Sequence, residues 1–179
     1  MKLRRLRELL PVVVDTPRGS PIKFKYDVEQ KRYTIAHVLP PGMVFPFDFG
    51  SVPGTLADDG DPLDALILLE APTFAGCLVE VRPVGIFHLV DRGVNDEKII
   101  AVPTHDPFTD EIRDINDIRS HALREIEHFF EVYKDLENVR VRSRGFDDAK
   151  AARRAITESV SNYRKAFGAK GRRKTAKSR

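Results

Sequence analysis

The sequence predicts an α+β fold in which the sheet is a small closed barrel. Three observations carry that expectation. Several short β-type segments fill residues 12–103, two helix-periodic segments follow them, and the length of 179 residues suits one domain with a sizeable core. Apolar residues make up 41% of the chain, an ordinary globular share, and no run of about 18 apolar residues is present to span a membrane.

The elements follow in order. Leu3, Leu6, Leu9 and Leu10 recur at helical spacing, which predicts an amphipathic helix over residues 2–10 that stops at Pro11. Residues 12–14 (Val-Val-Val) read as a short strand, and residues 16–21 as a turn. Residues 22–27 and 32–38 read as two strands joined by a polar turn, and Pro40-Pro41-Gly42 ends that pattern. Residues 43–49 carry Val44, Phe45, Phe47 and Phe49 and are expected to line a core or a pocket wall. Residues 50–60 form a loop, residues 65–69 a buried strand, residues 77–89 a long strand, residues 92–96 a hairpin-like turn, and residues 98–103 the next strand. Ser120 is the expected N-cap of a helix running to Glu137, with Leu123, Ile126, Phe130, Tyr133 and Leu136 near its apolar face. A second helix is expected to begin at Asp147-Asp148 and end at Gly168.

Charge is unevenly distributed. The chain holds 30 Lys plus Arg and 27 Asp plus Glu; the last 21 residues contain eight basic residues and no acidic one, which leaves 22 basic against 27 acidic in residues 1–158. The body is therefore acidic, which suits cation binding and argues against a nucleic-acid platform. Residues 168–179 are small and basic and read as a solvated, disordered tail. Cys77 is the only cysteine, which excludes an internal disulfide and agrees with a reducing cytoplasm. The basic N-terminus has no apolar stretch behind it and does not read as a secretory signal.

The chemistry centres on Asp58-Asp59-Gly60-Asp61-Pro62-Leu63-Asp64, which packs four carboxylates into seven residues ahead of an apolar run. Such like charges repel unless a cation holds them together. Gly60 opens unusual backbone angles and Pro62 fixes φ, so the turn can aim several carboxylates at one point. Oxygen-only ligands favour Mg2+ or Mn2+ over Zn2+. A solvated acidic loop is the alternative reading. An EF-hand does not fit: counting from Asp59, Glu70 stands where Glu is required, but the position that requires Gly holds Asp64. The histidines share no zinc-ligand spacing, and no glycine-rich phosphate loop is evident.

Asp59-Gly60-Asp61-Pro62-Leu63-Asp64 resembles the signature of the Mg2+-dependent soluble inorganic pyrophosphatases. Pro21-Ile22-Lys23, Arg82-Pro83-Val84-Gly85, the segment from Asp91 to Lys98, Ala101-Val102-Pro103 and the segment from His128 to Glu137 look like further family segments in family order, over about residues 11–150. The resemblance implies a five-stranded OB-like barrel flanked by two C-terminal helices and an N-terminal helix, in a single pyrophosphatase-like domain spanning residues 1–167. It implies Mg2+-dependent hydrolysis of pyrophosphate by a metal-activated water, with Mn2+ as a substitute ion, and a homo-oligomer, commonly a hexamer. The implied metal ligands are Asp59, Asp64, Asp91 and Asp96. Asp61 is implied to accept the proton of the attacking water, and Lys23, Lys98, Tyr133 and Lys134 to contact phosphate oxygens.

Five positions depart from the family. Asp15 and Lys25 stand where the family has Glu, and His37 stands where it has a phosphate-binding Arg. Phe45 and Phe49 replace two active-site tyrosines. His37 is expected to donate one hydrogen bond to substrate, with Arg18 as a nearby cation in support. These departures keep two further readings open: a substrate that has drifted to another phosphoanhydride or a phosphate ester, and a metal-binding or interaction protein of weak catalytic power.

Overall fold

The computed structural model describes residues 8–175, with side chains through residue 168. Among the described residues, eight strands and two longer α-helices build the fold: β1 (Leu10–Thr16), β2 (Ile22–Asp27), β3 (Arg32–Val38), β4 (Asp48–Ser51), β5 (Asp64–Ile67), β6 (Leu78–Asp91), β7 (Val94–Pro103), α1 (Ser120–Val132), β8 (Val141–Asp148) and α2 (Ala149–Thr175). The expected N-terminal helix falls largely outside the described residues; within them, Leu10 already belongs to β1, against the expectation of helix to residue 10.

Six strands form one sheet in the order β1-β4-β5-β7-β6-β8, and β1 also pairs with β6. The β5–β7 pair is parallel and the others are antiparallel. β2 and β3 form a hairpin sheet of their own. The architecture is thus strand-rich α+β with two helices. No helix among the described residues is long and apolar enough to cross a membrane.

Strand alternation divides the core in two. Ala65 and Ile67 of β5, with Ile99 and Ala101 of β7, pack with β1 and with Ala152, Ile156 and Val160 of α2. The intervening Leu66, Ile100 and Val102 face the other way, onto α1 and the aromatic cluster of Phe45, Phe47, Phe87, Phe129 and Phe130. Register is therefore fixed, since a one-residue slip would exchange the two cores.

Close strand approach needs Gly50. A Cβ there would stand 2.3 Å from the Val13 carbonyl oxygen and 2.8 Å from Val12 Cγ1. Gly50→Ala is expected to destabilise the fold by about 1–3 kcal/mol through forced overpacking, measured as a lower midpoint in denaturant melts. A midpoint equal to that of the parent would refute it.

Several boundaries differ from the sequence expectation. α1 stops at Val132; residues 135–137 form a 3-10 turn, and Asn138 sits in the left-handed region at φ 58°. Its N-cap is Arg119 with no side-chain cap, so Ser120 is the first helical residue rather than the cap. α2 is capped by Asp148, whose Oδ1 accepts from Ala151 N at 2.7 Å, while Asp114 Oδ2 accepts from Ala149 N at 3.0 Å. The helix does not end at Gly168 but continues to Thr175, so the basic segment expected to be disordered is helical that far. Ala, Lys and Arg propagate a helix readily, and Gly168 and Gly171 each cost only about 1 kcal/mol. β8 was not anticipated, because Arg142, Ser143 and Arg144 hide its alternation; it adds to the free edge of β6.

Candidate active site

Residues 57–64 make a tight, pinned turn. Gly60 takes φ +88°, Ala57 N donates to the Asp61 carbonyl at 2.8 Å, and Asp61 N donates to Asp59 Oδ1 at 3.0 Å. Leu63, 1% exposed, anchors the turn in the core, and its amide donates to Thr55 Oγ1 at 2.8 Å. Asp59 and Asp61 therefore stand at a rim, while Asp64 opens β5 directly opposite Lys98 of β7. Asp91 closes β6 and Asp96 lies early in β7, paired with Leu89, so the β6–β7 turn carries both carboxylates toward the same place.

These elements surround a cavity of about 370 Å3. Asp59, Asp61, Asp64, Asp91 and Asp96 all line it, from segments up to 37 residues apart in sequence. Lys23 from β2 and Tyr133 and Lys134 from the end of α1 complete the polar wall. Nine of the ten expected site residues are thus brought together, counting Lys98, which reaches the wall through its partners.

Lysines hold the carboxylates apart. Lys98 is 2% exposed and donates to Asp64 Oδ2 at 2.8 Å and Asp96 Oδ1 at 2.7 Å. Burial alone would lower its pKa; the two carboxylates outweigh burial and push it up. Lys134 donates to Asp91 Oδ2 at 2.6 Å, and Lys25 to Asp61 Oδ2 at 2.7 Å. Lys23 has no carboxylate within ion-pair distance among the described residues; its ammonium sits 4.6 Å from the Phe49 ring centroid. Burial lowers its pKa, Asp64 opposes that shift, and the Lys98 and Lys134 ammoniums add to it.

The donor set suits a hard divalent cation. It is all oxygen, and Asp91 Oδ1 is buried with no hydrogen-bond partner, an acceptor that a cation would satisfy. Among the described residues no three carboxylates or imidazoles form a closed ligand cluster, because the lysines stand between them.

Asp15 is the residue that sequence reasoning undervalued. It lies at the end of β1, 6% exposed, on the cavity wall. Burial raises its pKa to about 6 against a Ser51 hydrogen bond that lowers it. The available signal was a lone carboxylate closing an apolar strand, Val12-Val13-Val14-Asp15. A carboxyl whose pKa rises on folding binds its proton more tightly in the folded chain. Its penalty is absent below about pH 4, grows between pH 4 and 6, and is fully present above 6. In EDTA, Asp15→Asn is expected to raise stability by about 2–3 kcal/mol at pH 8 and by only about 1 kcal/mol at pH 4.5. Thermal melts at the two pH values check this, and an equal effect at both would refute it.

Two expected contributors, His37 and Arg18, stand elsewhere. His37 faces Lys23 across the hairpin but does not line the cavity; its Nδ1 lies 2.7 Å from Glu137 Oε1, and its ring packs edge-on to Tyr133 at 6.2 Å. Arg18 cannot compensate, since its Nη1 donates to the carbonyls of Leu69 and Glu70 at 2.9 and 3.0 Å. Phe45 is buried in the aromatic cluster, whereas Phe49 does line the cavity and offers its ring face to Lys23.

The family model described as inorganic pyrophosphatase matches residues 12–164. The chain belongs to the inorganic pyrophosphatase family. It is 42% identical over 157 residues to the inorganic pyrophosphatase of Methanosarcina mazei, covering 88% of this chain and 93% of that one. It is 44% identical over 152 residues to that of Leifsonia xyli, covering 84% and 93%. Among solved structures, the Thermus thermophilus inorganic pyrophosphatase superposes with a TM-score of 0.85 at 39% identity, covering 88% of this chain and 92% of that one. The match takes in every element that lines the cavity, from β1 to the end of α1.

Proposed function

We propose that this cavity hydrolyses inorganic pyrophosphate to two orthophosphates in an Mg2+-dependent reaction, with Mn2+ as a substitute ion. The carrying observation is the convergence of five aspartates and Lys23, Tyr133 and Lys134 on one cavity in a chain of this family. Asp59, Asp64, Asp91 and Asp96 would hold the divalent cations. Bound there, such ions neutralise the substrate and lower the pKa of water.

The chain's own residues do the rest. Asp61 stands at the rim, where its Oδ atoms can take a proton from the water that attacks phosphorus. Lys23, lacking a carboxylate partner, is free for a phosphate oxygen, and its lowered pKa reflects a buried charge that an anion would relieve. Tyr133 and Lys134 face the same space and suit the phosphate that leaves. Lys98 holds Asp64 and Asp96 in place and carries charge toward substrate. His37 supports Tyr133 from behind instead of contacting substrate.

The pairings β1-β4-β5-β7-β6 return to β1, and we read these five strands as the closed OB-like barrel, with residues 1–167 as one domain. Family likeness supports a hexamer, and the single cysteine suits a cytoplasmic setting. Phosphate release with Mg2+ tests the reading. Pyrophosphate is expected to be turned over faster than tripolyphosphate or phenyl phosphate, and a chain inert on pyrophosphate but active on an ester would overturn it.

A further inference from the structure

The four lysines around the cavity are held very differently. Lys98 and Lys134 sit in largely buried pairs, with side chains 2% and 18% exposed, and neither can leave without stranding a carboxylate. Lys25 is different. Its pair with Asp61 is 2.7 Å long, yet the two side chains are 57% and 51% exposed, so solvent screens the attraction and the pair contributes little to stability. Lys25 also lies two residues from Lys23 on β2, and both line the cavity. The hairpin they share is not part of the main sheet. Its side-chain ties include Phe24 N to Thr16 Oγ1 at 2.8 Å and Tyr33 Oη to the Val14 carbonyl at 3.3 Å.

We propose that Lys25 is an anion-binding residue of the cavity whose ammonium passes from Asp61 to the bound diphosphate, so that substrate arrival itself releases Asp61. The inference rests on the pyrophosphate reading above. Lysine on a multiply charged phosphate makes a stronger charge-assisted bond than it does on an exposed carboxylate. The exchange therefore runs toward substrate. It also couples two events: while Lys25 sits on Asp61 it competes with a proton or a cation for that carboxylate, and once it moves Asp61 is available. No covalent step is involved.

The test is calorimetry on the intact protein, comparing parent, Lys25→Met and Lys25→Arg. Methylenediphosphonate, which cannot be hydrolysed, is titrated at saturating Mn2+; Mn2+ is titrated separately with no anion present. Lys25→Met is expected to weaken diphosphonate binding about 10-fold, the worth of one charge-assisted bond, and to tighten Mn2+ binding by about threefold or more as Asp61 is freed. Lys25→Arg is expected to keep diphosphonate affinity within about threefold of the parent. These opposite signs separate the proposal from a structural role, which would move both affinities downward. Unchanged diphosphonate affinity in Lys25→Met, or Mn2+ affinity that stays level or falls, overturns the proposal. A parent protein that fails to bind diphosphonate at saturating Mn2+ overturns the underlying reading instead.

Discussion

Asp61→Asn is expected to lower kcat on pyrophosphate by about 10²–10⁴-fold, the usual worth of one positioned acid–base group. The replacement keeps shape and removes only the charge and the proton-accepting oxygen. Folding should survive, because Asp61 is half exposed and the turn is held by its backbone: Ala57 N on the Asp61 carbonyl and Asp61 N on Asp59 Oδ1. The loss should fall on kcat. Lys25, deprived of its partner, stays available to substrate, so KM is not expected to rise. Steady-state phosphate release with a parallel thermal melt checks both halves. A variant within threefold of the parent would remove Asp61 from the mechanism.

Lys98→Met is expected to destabilise the metal-free protein by about 3–5 kcal/mol, which for a chain of this size lowers Tm by about 6–20 °C. The methionine fills nearly the same volume, so packing between the Phe49 and Phe130 rings, whose centroids lie 5.5 and 5.2 Å from Nζ, is largely kept. The loss is electrostatic. Asp64 and Asp96, bridged by Nζ at 2.8 and 2.7 Å, become two like charges facing each other with no cation between. A divalent cation is the natural substitute. Added Mn2+ should therefore raise the Tm of the variant by more than it raises that of the parent. Equal increments, or a metal-free Tm within about 2 °C of the parent, would show that the pair is not what holds this wall together.

The two predictions draw on different kinds of legibility. Asp61 could be singled out from the chain alone, because Asp59-Gly60-Asp61-Pro62-Leu63-Asp64 is a local pattern. Gly60 and Pro62 fix the turn, and the following apolar run anchors it as a buried strand. The partners of Lys98 were not legible in this way. They depend on β5 and β7 lying parallel with Asp64 opposite Lys98, across a separation of 34 residues. Sequence likeness brought Lys98 and Asp96 to attention; their contact is a fact of packing.

The misses have the same cause. β8 escaped because an edge strand with one wet face alternates polar residues that mimic a loop. The early end of α1 escaped because Lys134, at φ −113° and ψ 6°, leaves helical geometry with no glycine or proline nearby to announce it. His37 was placed by alignment at the substrate, but Glu137, a hundred residues on, draws Nδ1 to itself at 2.7 Å. Lys25 was read as a charge where a carboxylate should be. Only the fold set its ammonium on Asp61, 36 residues away.

By itself, then, the sequence determined the reacting groups and their local posture: an acidic turn stiffened by Gly60 and Pro62, a hairpin bearing Asp91 and Asp96, and a buried apolar strand behind the acidic turn. Those are short-range matters of backbone sterics and period. Tertiary structure alone decided which ammonium meets which carboxylate, because Coulomb attraction depends on distances through space, and burial decides its strength. That distinction leaves Lys98 locked between Asp64 and Asp96 in the interior, and Lys25 on Asp61 at the rim, where water weakens its hold.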